Sequence, residues 1–285
     1  MHINDLAVFH RISPPFSTQV IHNFVDTTRN PFNTVDFHSL LDYLDGYLRI
    51  GEVPDYPNAV NGLQVESGRA EVRRIAVGVD AAQHTIDAAV RQGADLLLVH
   101  HGLFWDGNQP VTARRYRRLK ALMDADLPLY SAHLPLDVHP EVGNNAVLAR
   151  ELGVEIRGSF GDYKGLPVGV WGETDIRREA LCARLDALLG GRVKLVPGGP
   201  ERVRSMGVIT GGAGDETSAA ARMGLDAYVS GEGAHHNYFD AEEGGINLLL
   251  GGHYATETFG VRALGRHLEE KFGLEWTFID HPTGL

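Results

Sequence analysis

Phe37, Leu40, Leu41 and Leu44 recur on one face of a 3.6-residue period, and Asp36 stands where it would cap a helix beginning near residue 35. After a loop rich in Pro and Asn, the pattern predicts short strands at 63–65 and 74–79, a helix at 82–92 and a strand at 95–99. A helix at 113–124, a strand at 128–132 and a helix at 144–152 complete this first series. The order then recurs: a helix at 176–189, strands at 192–196 and 203–209, a helix at 215–223 and a strand at 226–230. A helix at 234–243, a strand at 246–250 and a helix at 256–272 follow, and the chain closes on an apolar alternation at 274–279. Strands alternating with helices of this length predict parallel βαβ units, because a parallel crossover needs a dozen or more residues and is usually a helix.

The two series align residue by residue. Setting Gly93 against Gly224 brings Arg91-Gln92-Gly93-Ala94-Asp95 over Arg222-Met223-Gly224-Leu225-Asp226, each after an Ala-rich helical stretch and before an apolar run. This is the mark of an internal duplication. It divides the chain into a first α/β repeat at 35–157, a connecting loop at 158–165 and a second repeat at 166–285. Residues 1–34, with Pro14-Pro15 and no clear period, stand apart as an N-terminal extension, expected to be poorly ordered. The expected fold class is α/β: two intertwined lobes with mostly parallel mixed sheets and a metal site between them.

With 285 residues and 43% hydrophobic content, the chain can bury a sizeable core. Its formal net charge of −11 argues against a general nucleic-acid binder, since phosphate backbones are gripped by clustered Lys and Arg. One basic cluster departs from this balance: Arg114, Arg115, Arg117, Arg118 and Lys120 in the helix at 113–124. It reads either as a solvated or inter-subunit helix face or as a surface meeting an anionic ligand. The lone Cys182 reads as a buried thiol in a reducing compartment. With no apolar run near the roughly 20 residues needed to span a bilayer, and no signal peptide, the expected location is the cytoplasm.

Metal-binding side chains gather at the strand ends. The run at 96–99 empties into His100-His101-Gly102, and that at 227–230 into Gly231-Glu232-Gly233 and His235-His236. The spacing His-x-x-x-carboxylate appears once per repeat, as His133 to Asp137 and His253 to Glu257. In open α/β sheets, ligands bind outside the carboxyl ends of the strands. Adjacent histidines on a regular strand point to opposite faces, so His100 and His101 are better explained by two neighbouring ions than by one. Asp137 adds a carboxylate, Glu257 could bridge two ions, and His253 supplies a further nitrogen. Each residue also has an ordinary structural reading, Glu257 as a complement to a helix dipole for example. It is their recurrence in both repeats that favours a metal site. His133 reads as a proton-transfer or supporting residue. His235 and His236 read as cleft-lining or helix-starting residues. Gly211-Gly212-Ala213-Gly214 lacks the order of a dinucleotide or phosphate loop and reads as a tight strand-to-helix turn.

The blocks HHGLFW at 100–105, HLPLD at 133–137, GEGAHH at 231–236 and GHYATE at 252–257 resemble the signatures of the Nif-three-like dinuclear metal-centre family, whose members carry the label GTP cyclohydrolase I type 2 by homology. NGLQV at 61–65 is similar to the family's early block, although Ala59-Val60 replace the acidic residue usual ahead of that Asn. The resemblance covers residues 36–285. It implies a toroidal homohexamer with two divalent ions per chain: His101, Asp137 and Glu257 on one, and His100, His253 and Glu257 on the other. It also implies the compact form, without a domain inserted between the halves. The donor set suits Zn, Mn, Fe, Co or Ni. The implied activity is metal-dependent hydrolysis of a small molecule, of the GTP cyclohydrolase type. There, activated water opens the imidazole ring of a purine nucleotide, and His133 moves a proton. A metal-dependent phosphoester hydrolase and a non-catalytic metal-binding scaffold or metal chaperone are the alternatives.

Overall fold

In the computed structural model, which describes residues 33–191 and 193–285, the chain folds into two three-layered α/β lobes. The expectation for residues 1–34 falls almost entirely outside the described residues.

A two-residue strand, β1 (Val35–Asp36), leads into α1 (Phe37–Tyr47), where the Asp36 carboxylate accepts the Ser39 amide at 2.8 Å. The strands β2 (Gly62–Val65), β3 (Glu71–Val72) and β4 (Arg74–Asp80), the helix α2 (Gln83–Arg91), and β5 (Leu96–His101) follow. Then come α3 (Ala113–Asp124), β6 (Leu129–Ser131), a single turn α4 (Leu134–Asp137) and α5 (Asn144–Glu151). The first sheet has the order β13-β4-β5-β6-β2, with β2 alone antiparallel to its neighbour. Residues 96–99 are wholly buried because helices cover both faces, which is why the run is continuous rather than alternating.

The second lobe comprises β7 (Glu155–Phe160), β8 (Gly169–Arg177), α6 (Arg178–Leu189), β9 (Lys194–Pro197) and β10 (Arg202–Ile209). After a 3-10 turn at Gly214–Glu216 come α7 (Thr217–Arg222), β11 (Ala227–Ser230), α8 (Asn237–Gly244), β12 (Asn247–Leu250), the single turn α9 (His253–Thr256) and α10 (Thr258–Phe272). Its sheet runs β7-β8-β10-β11-β12-β9, with β10, β11 and β12 parallel and the others antiparallel.

The last strand of the chain, β13 (Glu275–Phe278), crosses back to pair with β4 of the first sheet. The last helix of each repeat also changes sides. Val261, Leu264 and Leu268 of α10 pack with α1 on the first sheet, while Leu148, Ala149 and Leu152 at α5 pack with Leu181 and Leu185 of α6 on the second. The lobes are intertwined through this exchange, which seats α5 against α10 at the centre.

Three sequence expectations need correction. The stretch from 158, read as connecting loop, opens in strand: β7 extends to Phe160 and pairs with β8, and β8 in turn occupies the first residues assigned to a helix at 176–189. Both strands are half-exposed, with Glu155, Arg157 and Ser159 of β7 and Glu173, Asp175 and Arg177 of β8 facing solvent at alternate residues, so polarity hid the period-2 rhythm. Cys182 is half-buried rather than buried, at the edge of the α5–α6 cluster.

Candidate metal centre

The parallel strands of both sheets end at one place. His100 and His101 are the final residues of β5, His133 caps α4 just after β6, and His253 opens α9 just after β12. Asp137 closes α4, and Glu257 lies between α9 and α10, so each His-x-x-x-carboxylate spacing spans one helical turn; His253 meets its own Glu257 at 3.2 Å, whereas Asp137 approaches His100.

Every imidazole is fixed through Nδ1. His100 Nδ1 lies 2.9 Å from the Ala132 carbonyl, His101 Nδ1 3.0 Å from Asp80, His133 Nδ1 2.9 Å from Asp55, and His253 Nδ1 2.9 Å from Glu232. A carbonyl or an ionised carboxylate can only accept, so each Nδ1 carries a proton and each Nε2 is directed elsewhere. Three of those Nε2 atoms surround Glu257. His253 lies 3.2 Å and His100 3.6 Å from its Oε1, and His101 3.5 Å from its Oε2. His100 Nε2 is also 3.6 Å from Asp137 Oδ2, whose other oxygen accepts the Asn144 amide at 2.8 Å.

Two atoms at the heart of the cluster, His100 Nε2 and Glu257 Oε2, are buried without a hydrogen-bond partner. Orphaned buried polar atoms are rare because desolvation goes uncompensated. A cation between them would satisfy both, and the hard-to-borderline N and O donors suit a divalent ion. Ring nitrogens of His100, His101 and His133 fall within 4.8 Å of one another, as do donors from His101, His253 and Glu257. The electrostatics agree. Burial disfavours charge on His100, yet Asp137 and Glu257 outweigh it and raise the imidazole to about 10. Hydrogen bonding to Glu257 raises His253 to about 9, against the cost of burial. Burial likewise works against Glu257 as an anion, but His101 and His100 hold it well below the usual carboxylate range. The cavity is built for positive charge.

Glycine makes room at two points. Gly211, at φ +68°, follows β10, and a Cβ there would collide with Glu257 Oε1. Its carbonyl accepts the amides of Gly231 and Glu232, so the Gly-rich turn ties β10 to the end of β11. Gly102 abuts the Gln64 amide, which accepts the Leu103 N–H at 2.7 Å and donates to the carbonyls of Ala59 and Val60.

Residues 35–284 match the family Duf34/NIF3 (NGG1p interacting factor 3). The chain belongs to the Duf34/NIF3 family. Its relatives include proteins named "GTP cyclohydrolase 1 type 2 homolog" from Deinococcus radiodurans, 44% identical over 86% of this chain and 93% of that protein, and from Halobacterium salinarum, 47% identical over 82% and 94%. Among solved structures it resembles the protein ybgI, described as of unknown function, with a TM-score of 0.82 at 39% identity over 88% of this chain and all of the other. TTHA1606 from Thermus thermophilus gives a TM-score of 0.80 at 40% identity, again over 88% of this chain and all of that one. The α/β fold of the Duf34/NIF3 family is therefore the fold of this chain.

The structure gathers all five proposed metal-ligating residues, His100, His101, Asp137, His253 and Glu257, with His133 beside them. The distances do not divide them into two sets: His100 and His253 share the Oε1 side of Glu257 and His101 takes the Oε2 side, while Asp137 approaches His100 and the donors of His101, His253 and Glu257 also cluster. His100 turns to the β6 side of its strand and His101 to the β4 side. His235 and His236 belong to neither group of metal-competent donors; His236 pairs with Asp215 at the surface.

Sequence reasoning missed Asp55, Asp80 and Glu232, the carboxylates behind the imidazoles. Asp55 is the instructive case. No acid directly precedes Asn61, yet Asp55 sits six residues upstream and accepts from Asn61 at 2.8 Å, and from His133 Nδ1 and the Leu134 amide at 2.9 Å. Asn61 accepts the His133 amide in turn at 2.8 Å. Among the described residues, no helix is long and apolar enough to cross a membrane.

Proposed function

We propose that this chain is a metal-dependent hydrolase, holding two divalent ions on His100, His101, Asp137, His253 and Glu257 with Glu257 shared between them. The observation that carries the reading is the uniform anchoring of four imidazoles through Nδ1, three of them on carboxylates, which is how ligating histidines are oriented and made more basic. When bound, two such ions would supply Lewis acidity for activating water and stabilising the oxygens of a hydrolytic transition state.

The protein's own groups supply the rest. His133 is held by Asp55, which keeps its Nδ1 protonated and leaves Nε2 to take and return a proton at the reacting centre. Burial works against the Asp55 anion, but the hydrogen bonds it accepts from His133 and Asn61 hold its carboxyl below the usual range. Trp105 packs edge-on to His133 at 4.7 Å, and Tyr56 stands 4.4 Å from Tyr163 and 5.9 Å from His133. This aromatic wall suits a flat heterocycle and limits water at the site. The names of the relatives point to a purine nucleotide and to opening of its imidazole ring, and we take that as the first substrate to test. We also propose the homohexamer that the family resemblance implies, to be checked by light scattering.

The deciding experiment is elemental mass spectrometry on protein purified without chelator or metal-binding tag, followed by a GTP assay with the ion found. About two ions per chain with release of formate supports the reading. Inorganic phosphate instead of formate would move the chemistry to phosphoester cleavage, and two ions with no turnover on a broad substrate panel would leave a metal-binding scaffold. A chain that takes up no metal even on reconstitution would sink the proposal.

A further inference from the structure

Next to the metal centre lies a cleft of about 330 Å³, lined by His101, Trp105, His281 and three arginines of α3, Arg114, Arg115 and Arg118. The arginines are not equivalent. Arg115 is engaged with the fold, donating to the carbonyls of Gly107 and Gln109 at 2.9 Å each. Arg114 meets Asp106 at 3.3 Å in an exposed pair, which solvent keeps weak. Arg118 is half-buried, and no hydrogen bond or ion pair holds it among the described residues. Burial and the adjacent Arg114 charge both make its cation costlier than in water. Two carboxylates share the cleft and offset part of that cost, but their hydrogen bonds lie elsewhere, Asp80 accepting from His101 Nδ1 and Asp106 from Arg114.

We propose that Arg114 and Arg118 form an oxyanion subsite that holds a phosphate group of the ligand. Guanidinium groups match phosphate with paired, directional donors, and phosphate would relieve the crowding of two cations while answering the unsatisfied donors of Arg118. His101 lines both the cleft and the metal cluster, so a ligand seated by its phosphate places its remaining atoms at the metal centre. That orientation rests on the hydrolase reading above; the subsite itself does not.

The test uses inorganic phosphate as the probe, titrated calorimetrically into chelator-treated and metal-loaded protein at fixed ionic strength, with acetate as the comparison anion. Phosphate should bind the metal-free chain, and Arg118→Ala and Arg114→Ala should each weaken it by about tenfold or more. Arg114 is exposed, so its variant tests the subsite even if Arg118→Ala perturbs folding. Arg117→Ala removes the same charge from the same helix outside the cleft and should change affinity by less than about twofold. No binding without metal, equal losses in all three variants, or acetate binding as well as phosphate would overturn the subsite. Elemental analysis of the same samples separates the two readings: a chain that binds phosphate through Arg114 and Arg118 but holds no metal supports the subsite while sinking the hydrolase.

Discussion

Glu257→Gln is the sharpest perturbation of the metal centre, because one carboxylate faces three imidazoles. The substitution keeps the shape, removes the charge and turns one acceptor oxygen into an NH2 donor. At the 3.6 Å that separates Glu257 Oε1 from His100 Nε2, and with an effective dielectric near 20, one unit charge stabilises another by about 5 kcal/mol. That is on the order of a thousandfold in the affinity of His100 for a proton, and a divalent ion should feel at least as much. The contacts at 3.2 Å to His253 and 3.5 Å to His101 extend the loss to the other two imidazoles, on both oxygens. Wild-type protein should carry about two ions per chain, and Glu257→Gln fewer than one after gel filtration in chelator-free buffer. Asp137→Asn removes a carboxylate from the His100 side alone and should keep about one ion. Metal content comes from elemental mass spectrometry, and circular dichroism confirms that the variants fold. A Glu257→Gln protein that still carries its full metal complement would refute the shared-ligand reasoning.

Gly211→Ala should leave the lobes folded yet empty the centre of metal: the new Cβ meets Glu257 Oε1, and the φ of +68° adds roughly 1–2 kcal/mol of backbone strain. Unchanged metal content would show that Glu257 can move aside. Asp55→Asn should retain both ions and slow turnover by about 10- to 100-fold, since it frees the His133 ring without touching the ligands; loss of metal would instead make His133 a ligand. Because Asp137 and Glu257 raise His100 to about 10 and Glu257 raises His253 to about 9, metal loading near pH 7.5 should release roughly two protons per chain, measurable by calorimetry in buffers of different ionisation enthalpy. The same raised values stabilise the metal-free chain fully below the ordinary His value near 6.5, and that stability should fade as pH rises through about 9 and 10. Thermal melts of chelator-treated protein that show no decline over that range would contradict the assignment.

Much of this protein was legible in its sequence, because the relevant signals are local. Asp36 with Phe37, Leu40, Leu41 and Leu44 determines α1 by capping and period alone, and the apolar runs ahead of His100 and Ser230 determine buried parallel strands by continuity. The His-x-x-x-carboxylate turns are likewise local: one helical turn carries His133 and Asp137 on α4 and sets His253 beside Glu257 wherever the lobes lie. Tertiary structure decided what depends on distance across the chain. It placed β13 beside β4 and exchanged α5 and α10 between the sheets, since an apolar helix face carries no address for the surface that will cover it. It made strands of β7 and β8, whose stability comes from pairing rather than from apolar runs. It recruited Asp55, Asp80 and Glu232 from 21 to 78 residues away to turn each imidazole, a hydrogen-bond geometry that no spacing encodes. And it brought Glu257, 156 and 157 residues on, between His101 and His100, so that histidines whose opposite faces the strand period already sets meet opposite oxygens of one carboxylate.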